Sequence, residues 1–260
     1  MIARLFGVEG KTAVVTGGSR GIGFMIARGL VESGVKVYIC ARKAEECAAA
    51  AAELSNLGTC IAITTDLQTD QGCRHLVGEF ARSEDGLNIL VNNAGAAWAG
   101  PVEDYPLEGF DKVMGVNVKA MFHVTRLFLP YLRAAASSDD PARVINIGSV
   151  DGLRPPQLQN YAYSASKAAV HMLTRHLGKA LVDDHINVNA IAPGLFPSRM
   201  TKFLFESAGS ADAAATGIPL KRPGRLEDIA GAVIYLSSRA GAYVTGAVIP
   251  VSGGIATLTD

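Results

Sequence analysis

The 260-residue sequence predicts a single domain of the α/β class, built on a doubly wound parallel sheet. Three observations carry that prediction. Short β-branched runs recur along the chain, longer helical patterns separate them, and turn residues mark each change. Strands that read as near-continuous apolar runs are buried on both faces, which is the condition of a parallel sheet covered by helices. Right-handed crossovers then make the doubly wound arrangement the economical one.

The elements follow in order. Residues 11–17 (KTAVVTG) form the first strand, followed by a glycine-rich turn and a helix over about 22–32. Residues 36–40 (KVYIC) are the second strand, and an alanine-rich helix covers about 44–57. Residues 60–66 are the third strand, with a helix near 70–82. The fourth strand is 87–95 (LNILVNNAG), and one long helical stretch spans about 107–135 before polar 137–142 breaks it. Residues 143–149 (RVINIGS) and 186–194 (INVNAIAPG) are the fifth and sixth strands, with a helix over about 161–182 between them. A helix near 226–237 and a last strand at 247–251 close the chain. Only 195–223 is long and irregular, the mark of a substrate-binding or lid segment within the one domain, 1–260.

Composition narrows the function. Basic and acidic side chains number 24 each, so no net charge draws nucleic acid or an anionic membrane. No apolar run reaches the ~18–20 residues that span a bilayer, and the N-terminal MIARLFGVEGK lacks a secretion signal. Cys40, Cys47, Cys60 and Cys73 are too widely spaced for a C-x-x-C pair and read as reduced thiols of a cytoplasmic protein. No metal site is expected: His171 and His176 stand five apart, a poor spacing for shared ligation on one helix face.

The first turn, Thr16-Gly17-Gly18-Ser19-Arg20-Gly21-Ile22-Gly23, brings backbone close to a pyrophosphate and aims a helix N-terminus at it. The same letters satisfy G-x-S-x-G, a nucleophile elbow with Ser19 as nucleophile. That elbow tops a mid-sheet strand after an oxyanion-hole segment, whereas here only a dozen or so residues come first. The elbow reading also leaves the asparagines and the tyrosine–lysine pair without a role.

That pair lies in Asn160–Lys167 (NYAYSASK). Residues four apart share a helix face, so Tyr163 and Lys167 are neighbours, whereas Tyr161 lies roughly 240° from the lysine. A phenol titrates near 10 and is a weak acid at neutral pH, and nearby positive charge favours its phenolate. Tyr163 could thus give a proton to a carbonyl oxygen or take one from an alcohol. Ser149, at a strand end, could hold the same oxygen.

The turn's spacing, Asn92-Asn93-Ala94-Gly95, Asn117, Ser149, Tyr163 with Lys167, and Pro193-Gly194 together resemble the short-chain dehydrogenase/reductase family over essentially the whole chain. The resemblance implies a Rossmann-like fold and a catalytic set of Asn117, Ser149, Tyr163 and Lys167, with Asn117 placing a water beside Lys167. It implies nicotinamide cofactor contacts from Gly17, Ser19, Arg20, Gly21, Ile22, Gly23, Asp66, Leu67, Asn93, Tyr163, Lys167, Pro193, Gly194 and Ser198. Asp66 is similar to the family's adenine-binding acid, and Ser198 stands where the family's threonine contacts nicotinamide.

NAD-preferring members place an acid at the end of the second strand. This chain reads Tyr38-Ile39-Cys40-Ala41-Arg42-Lys43 there, so Arg20 and Arg42 point to a 2′-phosphate and NADP(H) is expected. Residues 140–148 and 192–201 most resemble β-ketoacyl reductases of the rhamnolipid-biosynthesis type, which implies lipid metabolism. The small-molecule substrate is a carbonyl compound, with a 3-oxoacyl compound first. A sugar, polyol or steroid alcohol, or a non-catalytic NADP-binding sensor, are the alternatives. Asp183-Asp184 replaces the arginine with which carrier-dependent members meet an acidic carrier protein. Family members are tetramers or dimers, so a homo-oligomer, homotetramer first, is expected.

Overall fold

In the computed structural model, which describes residues 1–210, 213 and 215–257, seven parallel strands form one sheet in the order β3-β2-β1-β4-β5-β6-β7. They are β1 (Thr12–Thr16), β2 (Lys36–Ala41), β3 (Cys60–Thr64), β4 (Ile89–Asn92), β5 (Ala142–Ile147), β6 (Ile186–Pro193) and β7 (Val248–Val251). The helices are α1 (Ile2–Phe6), α2 (Gly21–Glu32), α3 (Ala44–Ser55), α4 (Asp70–Phe80), α5 (Leu107–Met114), α6 (Met121–Ala135), α7 (Tyr161–Ala180), α8 (Lys202–Ala208) and α9 (Leu226–Ser237). Positions 211, 212 and 214 of the expected substrate-binding segment, and 258–260 of the expected domain, lie outside the described residues. Among the described residues no helix is long and apolar enough to cross a membrane.

Successive strand side chains point to opposite faces, so each unbroken apolar run feeds two cores. Ala13, Val15, Val37, Ile39, Ile89 and Val91 pack with Ile26, Leu30, Ile229 and Val233 of α2 and α9. Val14, Tyr38, Cys40, Leu90 and Val144 pack on the other face with Phe80 of α4 and Phe128 of α6. There the rings of Tyr38, Phe80 and Phe128 meet edge to face at 5.2 and 5.3 Å, the offset geometry aromatic quadrupoles favour. The four cysteines are buried and free, and burial pushes the Cys40 thiol up to about 12, so these thiols act as core.

Five details depart from the sequence pattern. The stretch expected as one helix, 107–135, contains a π-helical segment, Gly115–Ala120, between α5 and α6. A one-residue shift in backbone bonding is invisible to a 3.6-residue period. The fourth strand ends at Asn92 because the next residue leaves the sheet: the Asn93 N–H donates to Thr16 Oγ1 at 2.9 Å. Helix α8 lies inside the segment expected to be irregular, and α1, which buries none of its residues, had no expected counterpart. Helix α7 stops at Ala180, and His185 takes left-handed φ 55° to turn the chain into β6.

β1 pairs with β2 on one side and β4 on the other, so the crossovers reverse direction there. A doubly wound sheet forms its ligand crevice beyond the C-terminal strand ends at that reversal.

Candidate active site

A cleft of about 310 Å³ opens at those strand ends. Every expected cofactor contact lines it: Gly17, Ser19, Arg20, Gly21, Ile22, Gly23, Arg42, Asp66, Leu67, Asn93, Pro193, Gly194 and Ser198. Ser149, Tyr163 and Lys167 line it too, whereas Asn117 stands behind the wall, 2% exposed. Residues spread from Gly17 to Ser198 therefore meet beyond the C-terminal strand ends, most of them just after a strand.

The glycine turn is shaped by backbone. Gly17 and Gly21 have φ of 66° and 55°, the left-handed region that a side chain strains. A Cβ on Gly23 would stand 2.3 Å from both Asn93 Nδ2 and the Gly17 carbonyl oxygen, so only glycine fits. Asn93 Nδ2 donates to the carbonyls of Thr16 and Gly17 at 2.9 and 3.1 Å, which ties the ends of β1 and β4 together. Among the described residues no side chain caps the N-terminus of α2, so its first N–H groups and positive dipole end offer an anion site. A close backbone cradle, a free helix N-terminus and cations at the far end fit a dinucleotide with an extra phosphate. The nucleophile-elbow alternative fails on geometry: among the described residues Ser19 has no hydrogen bond to a histidine, while His123 bonds Asp70 and His171 packs against Gly148.

At the other end stands the acid–base group. Lys167 is buried, its Nζ donates to the Ile147 carbonyl at 2.7 Å, and it lies 5.5 Å from the centre of the Tyr163 ring. Burial lowers the Lys167 pKa to about 8, with nearby Asp151 opposing that shift. Burial pushes the Tyr163 phenol up to about 12; a hydrogen bond from Ser149 lowers it and the Asp151 charge adds to the rise. Burial is thus the largest influence on the phenol. The arrangement keeps Tyr163 protonated, the state a proton donor needs. Ser149 Oγ accepts from the Asp151 N–H at 3.1 Å, which holds the hydroxyl at the cleft beside Tyr163.

Asn117 sits in the π-helical segment with its amide fully engaged. Its Oδ1 accepts from the Ala96 N–H at 2.8 Å, and its Nδ2 donates to the Ala96 carbonyl and to Ser166 Oγ at 3.0 and 2.9 Å. It fastens the cleft floor to α7 and has no direct bond to Lys167. Asn92, its neighbour in the asparagine motif, faces the core and donates to Thr125 and Asn146.

Three residues escaped the sequence reading. Asp151 lies two positions past Ser149, is held by Asn160 Nδ2 at 3.0 Å, and burial raises its pKa. Glu46 and Arg199 line the cleft beside Arg20 and Arg42. For Glu46 a signal existed, since it lies four residues past Arg42 at a helix start. Arg199 comes from a segment whose path no local pattern reveals. Phe196 is 2% exposed and covers Gly224, so it serves packing as well as the cleft wall.

Residues 11–209 match the short chain dehydrogenase family. The chain is 51% identical over 249 residues to the rhamnolipids biosynthesis 3-oxoacyl-[acyl-carrier-protein] reductase of Pseudomonas aeruginosa, covering 96% of this chain and 97% of that one. It is 32% identical to gluconate 5-dehydrogenase of Gluconobacter oxydans, covering 96% of each. Its fold is similar to the Pseudomonas aeruginosa RhlG/NADP active-site complex, with a TM-score of 0.94, 50% identity, and 97% and 99% of the two chains covered.

Proposed function

The chain belongs to the short-chain dehydrogenase family, and from that premise we propose that it is an NADPH-dependent reductase of ketones whose substrate class is the 3-oxoacyl compounds. The observation that carries this reading is the Tyr163–Lys167–Ser149 group at one end of a cleft whose other end is built for a phosphorylated dinucleotide. The relative at 51% identity carries the 3-oxoacyl name, and its kind of reaction is transferred here on that likeness.

The cofactor, once bound, supplies a hydride to the carbonyl carbon. The chain does the rest. Ser149 donates a hydrogen bond to the carbonyl oxygen and orients it. Tyr163 Oη gives that oxygen its proton as negative charge develops, so ketone, hydride and proton become a secondary alcohol. Lys167, whose ammonium is fixed by the Ile147 carbonyl, stabilises the phenolate left behind. Asn117 is a positioning residue, since it bonds the cleft floor and Ser166 rather than reacting atoms. Arg20 and Arg42 receive the 2′-phosphate, and Asp66, Leu67 and Asn93 flank the adenosine and nicotinamide portions of the cleft.

Four buried thiols fit a reducing, cytoplasmic setting. Exposed Phe122 on α6, Met172 on α7 and Tyr243 near β7 fit burial in a homo-oligomer. The Asp183-Asp184 pair is less repulsive than its letters, because Arg133 binds Asp184 at 2.8 Å.

The test is loss of reduced-nicotinamide absorbance with 3-oxoacyl esters, CoA thioesters and carrier-protein thioesters, set against simple ketones, sugars and polyols. Turnover of the 3-oxoacyl compounds is expected. Tyr163→Phe is expected to lower kcat by at least about a hundredfold, the usual worth of a positioned acid, while NADPH Kd stays within about twofold. Retained turnover in that variant would remove Tyr163 from the reaction.

A further inference from the structure

The sequence offers two arginines, Arg20 in the glycine turn and Arg42 after the second strand, and no acid at that strand's end, yet the fold brings one there. Glu46, in the first turn of α3, reaches the same end of the cleft as Arg20, Arg42, Lys43 and Arg199. One Glu46 oxygen accepts from Arg20 Nη1 at 3.1 Å. The other accepts from Lys43 Nζ at 2.9 Å and lies 3.4 Å from Arg199 Nη2. The three cations come from the glycine turn, the junction of β2 with α3, and the chain after β6. Among the described residues Arg42 makes no ion pair, so a single carboxylate serves as shared counter-ion for the rest of the cluster.

We propose that Glu46 competes with the 2′-phosphate of NADP(H) for Arg20, Lys43 and Arg199, and so limits how strongly the protein prefers NADP(H) to NAD(H). This rests on the NADP(H) reading above. A phosphomonoester carries nearly two negative charges at neutral pH, so it and the carboxylate repel each other when they share these cations. Its entry must loosen the Glu46 pairs. Hydrogen bonding by Lys43 first, then the charges of Arg199 and Arg20, holds the Glu46 carboxyl below its ordinary range, so the competitor is charged at neutral pH. A cofactor without the 2′-phosphate leaves these pairs undisturbed and offers the carboxylate a ribose hydroxyl. Glu46 therefore burdens one cofactor and spares the other.

The measurement is direct binding by calorimetry, free of turnover, of 2′,5′-ADP and AMP as well as NADPH and NADH. Glu46→Gln keeps the side chain's shape and removes its charge. Individually weak exposed pairs released together give an expected tightening of about fivefold for 2′,5′-ADP and NADPH, with AMP and NADH changed less than about twofold. Glu45→Gln makes the same charge change on α3 outside the cleft and should alter neither. Unchanged or weaker 2′,5′-ADP binding in Glu46→Gln, or equal tightening in Glu45→Gln, overturns the proposal while leaving the cofactor reading intact. A wild-type protein that binds 2′,5′-ADP no better than AMP overturns both.

Discussion

His171 lies one helical turn past Lys167, 3% exposed, with neither ring nitrogen in a hydrogen bond among the described residues. Its Nε2 is so close to β5's exit that a Cβ on Gly148 would meet it at 2.1 Å. Burial lowers its pKa to about 4, and only the Gly152 backbone favours its proton. The folded protein therefore keeps a neutral imidazole over a range where the unfolded chain takes up a proton. With more protons bound to the unfolded state between about 4 and 6.5, stability falls as pH drops through that window. His171 alone should cost about 2 kcal/mol between pH 7 and pH 5. Urea unfolding at the two pH values checks this: His171→Leu should show a smaller acid loss than wild type by about that amount. An equal loss in both proteins would mean that His171 is protonated in the fold.

The π-helical segment Gly115–Ala120 is the element that sets the floor of the site. Such single turns within α-helices recur at functional sites. Here Asn117 faces away from solvent and grips both polar groups of Ala96 as well as Ser166, which itself donates to the Tyr163 carbonyl. Asn117→Ala leaves those buried groups without their partner, and the expected loss is roughly 2–3 kcal/mol of unfolding free energy. kcat should fall further than NADPH affinity, because the floor beside Lys167 moves while the glycine turn keeps its own bonds to Asn93. A kcat within twofold of wild type would show that the floor holds without the asparagine. The turn that precedes α8 lends Arg199, Met200 and Thr201 to the cleft, so part of the segment after β6 is cleft wall.

At the scale of the molecule, the cleft joins parts that otherwise meet only through the sheet. Residues from the C-terminal ends of six strands and from the segment after β6 all face it. A ligand held there binds only the fully folded chain, so its binding free energy adds to global stability. NADPH at about a hundred times its Kd is worth ~2.7 kcal/mol, which in a domain of this size raises Tm by roughly 5–10 °C. Thermal unfolding with NADPH and with NADH at equal concentration should show the larger rise for NADPH. Arg42→Ala should remove most of that difference, because Arg42 is the cation least committed to Glu46. Equal shifts by the two cofactors would count against the 2′-phosphate contact.

The sequence by itself determined what depends on near neighbours. Near-continuous apolar runs and the longer helical patterns between them place the strands and most helices within a few residues. The left-handed and close-packed glycines are legible because Gly17, Gly21 and Gly23 cluster in one turn, and the i,i+4 spacing singles out Tyr163 over Tyr161 as the partner of Lys167. Only the tertiary structure decided which groups from distant segments share a space, since no local periodicity encodes a contact made across the sheet. It put Glu46 among the cations that the letters alone offered to a phosphate, turned the Asn117 amide onto Ala96 and Ser166, and buried His171 under the site. It also set the balance at Tyr163, where burial is the largest influence on the phenol. Desolvation is set by everything packed around a group, and that sum exists only once the chain has folded.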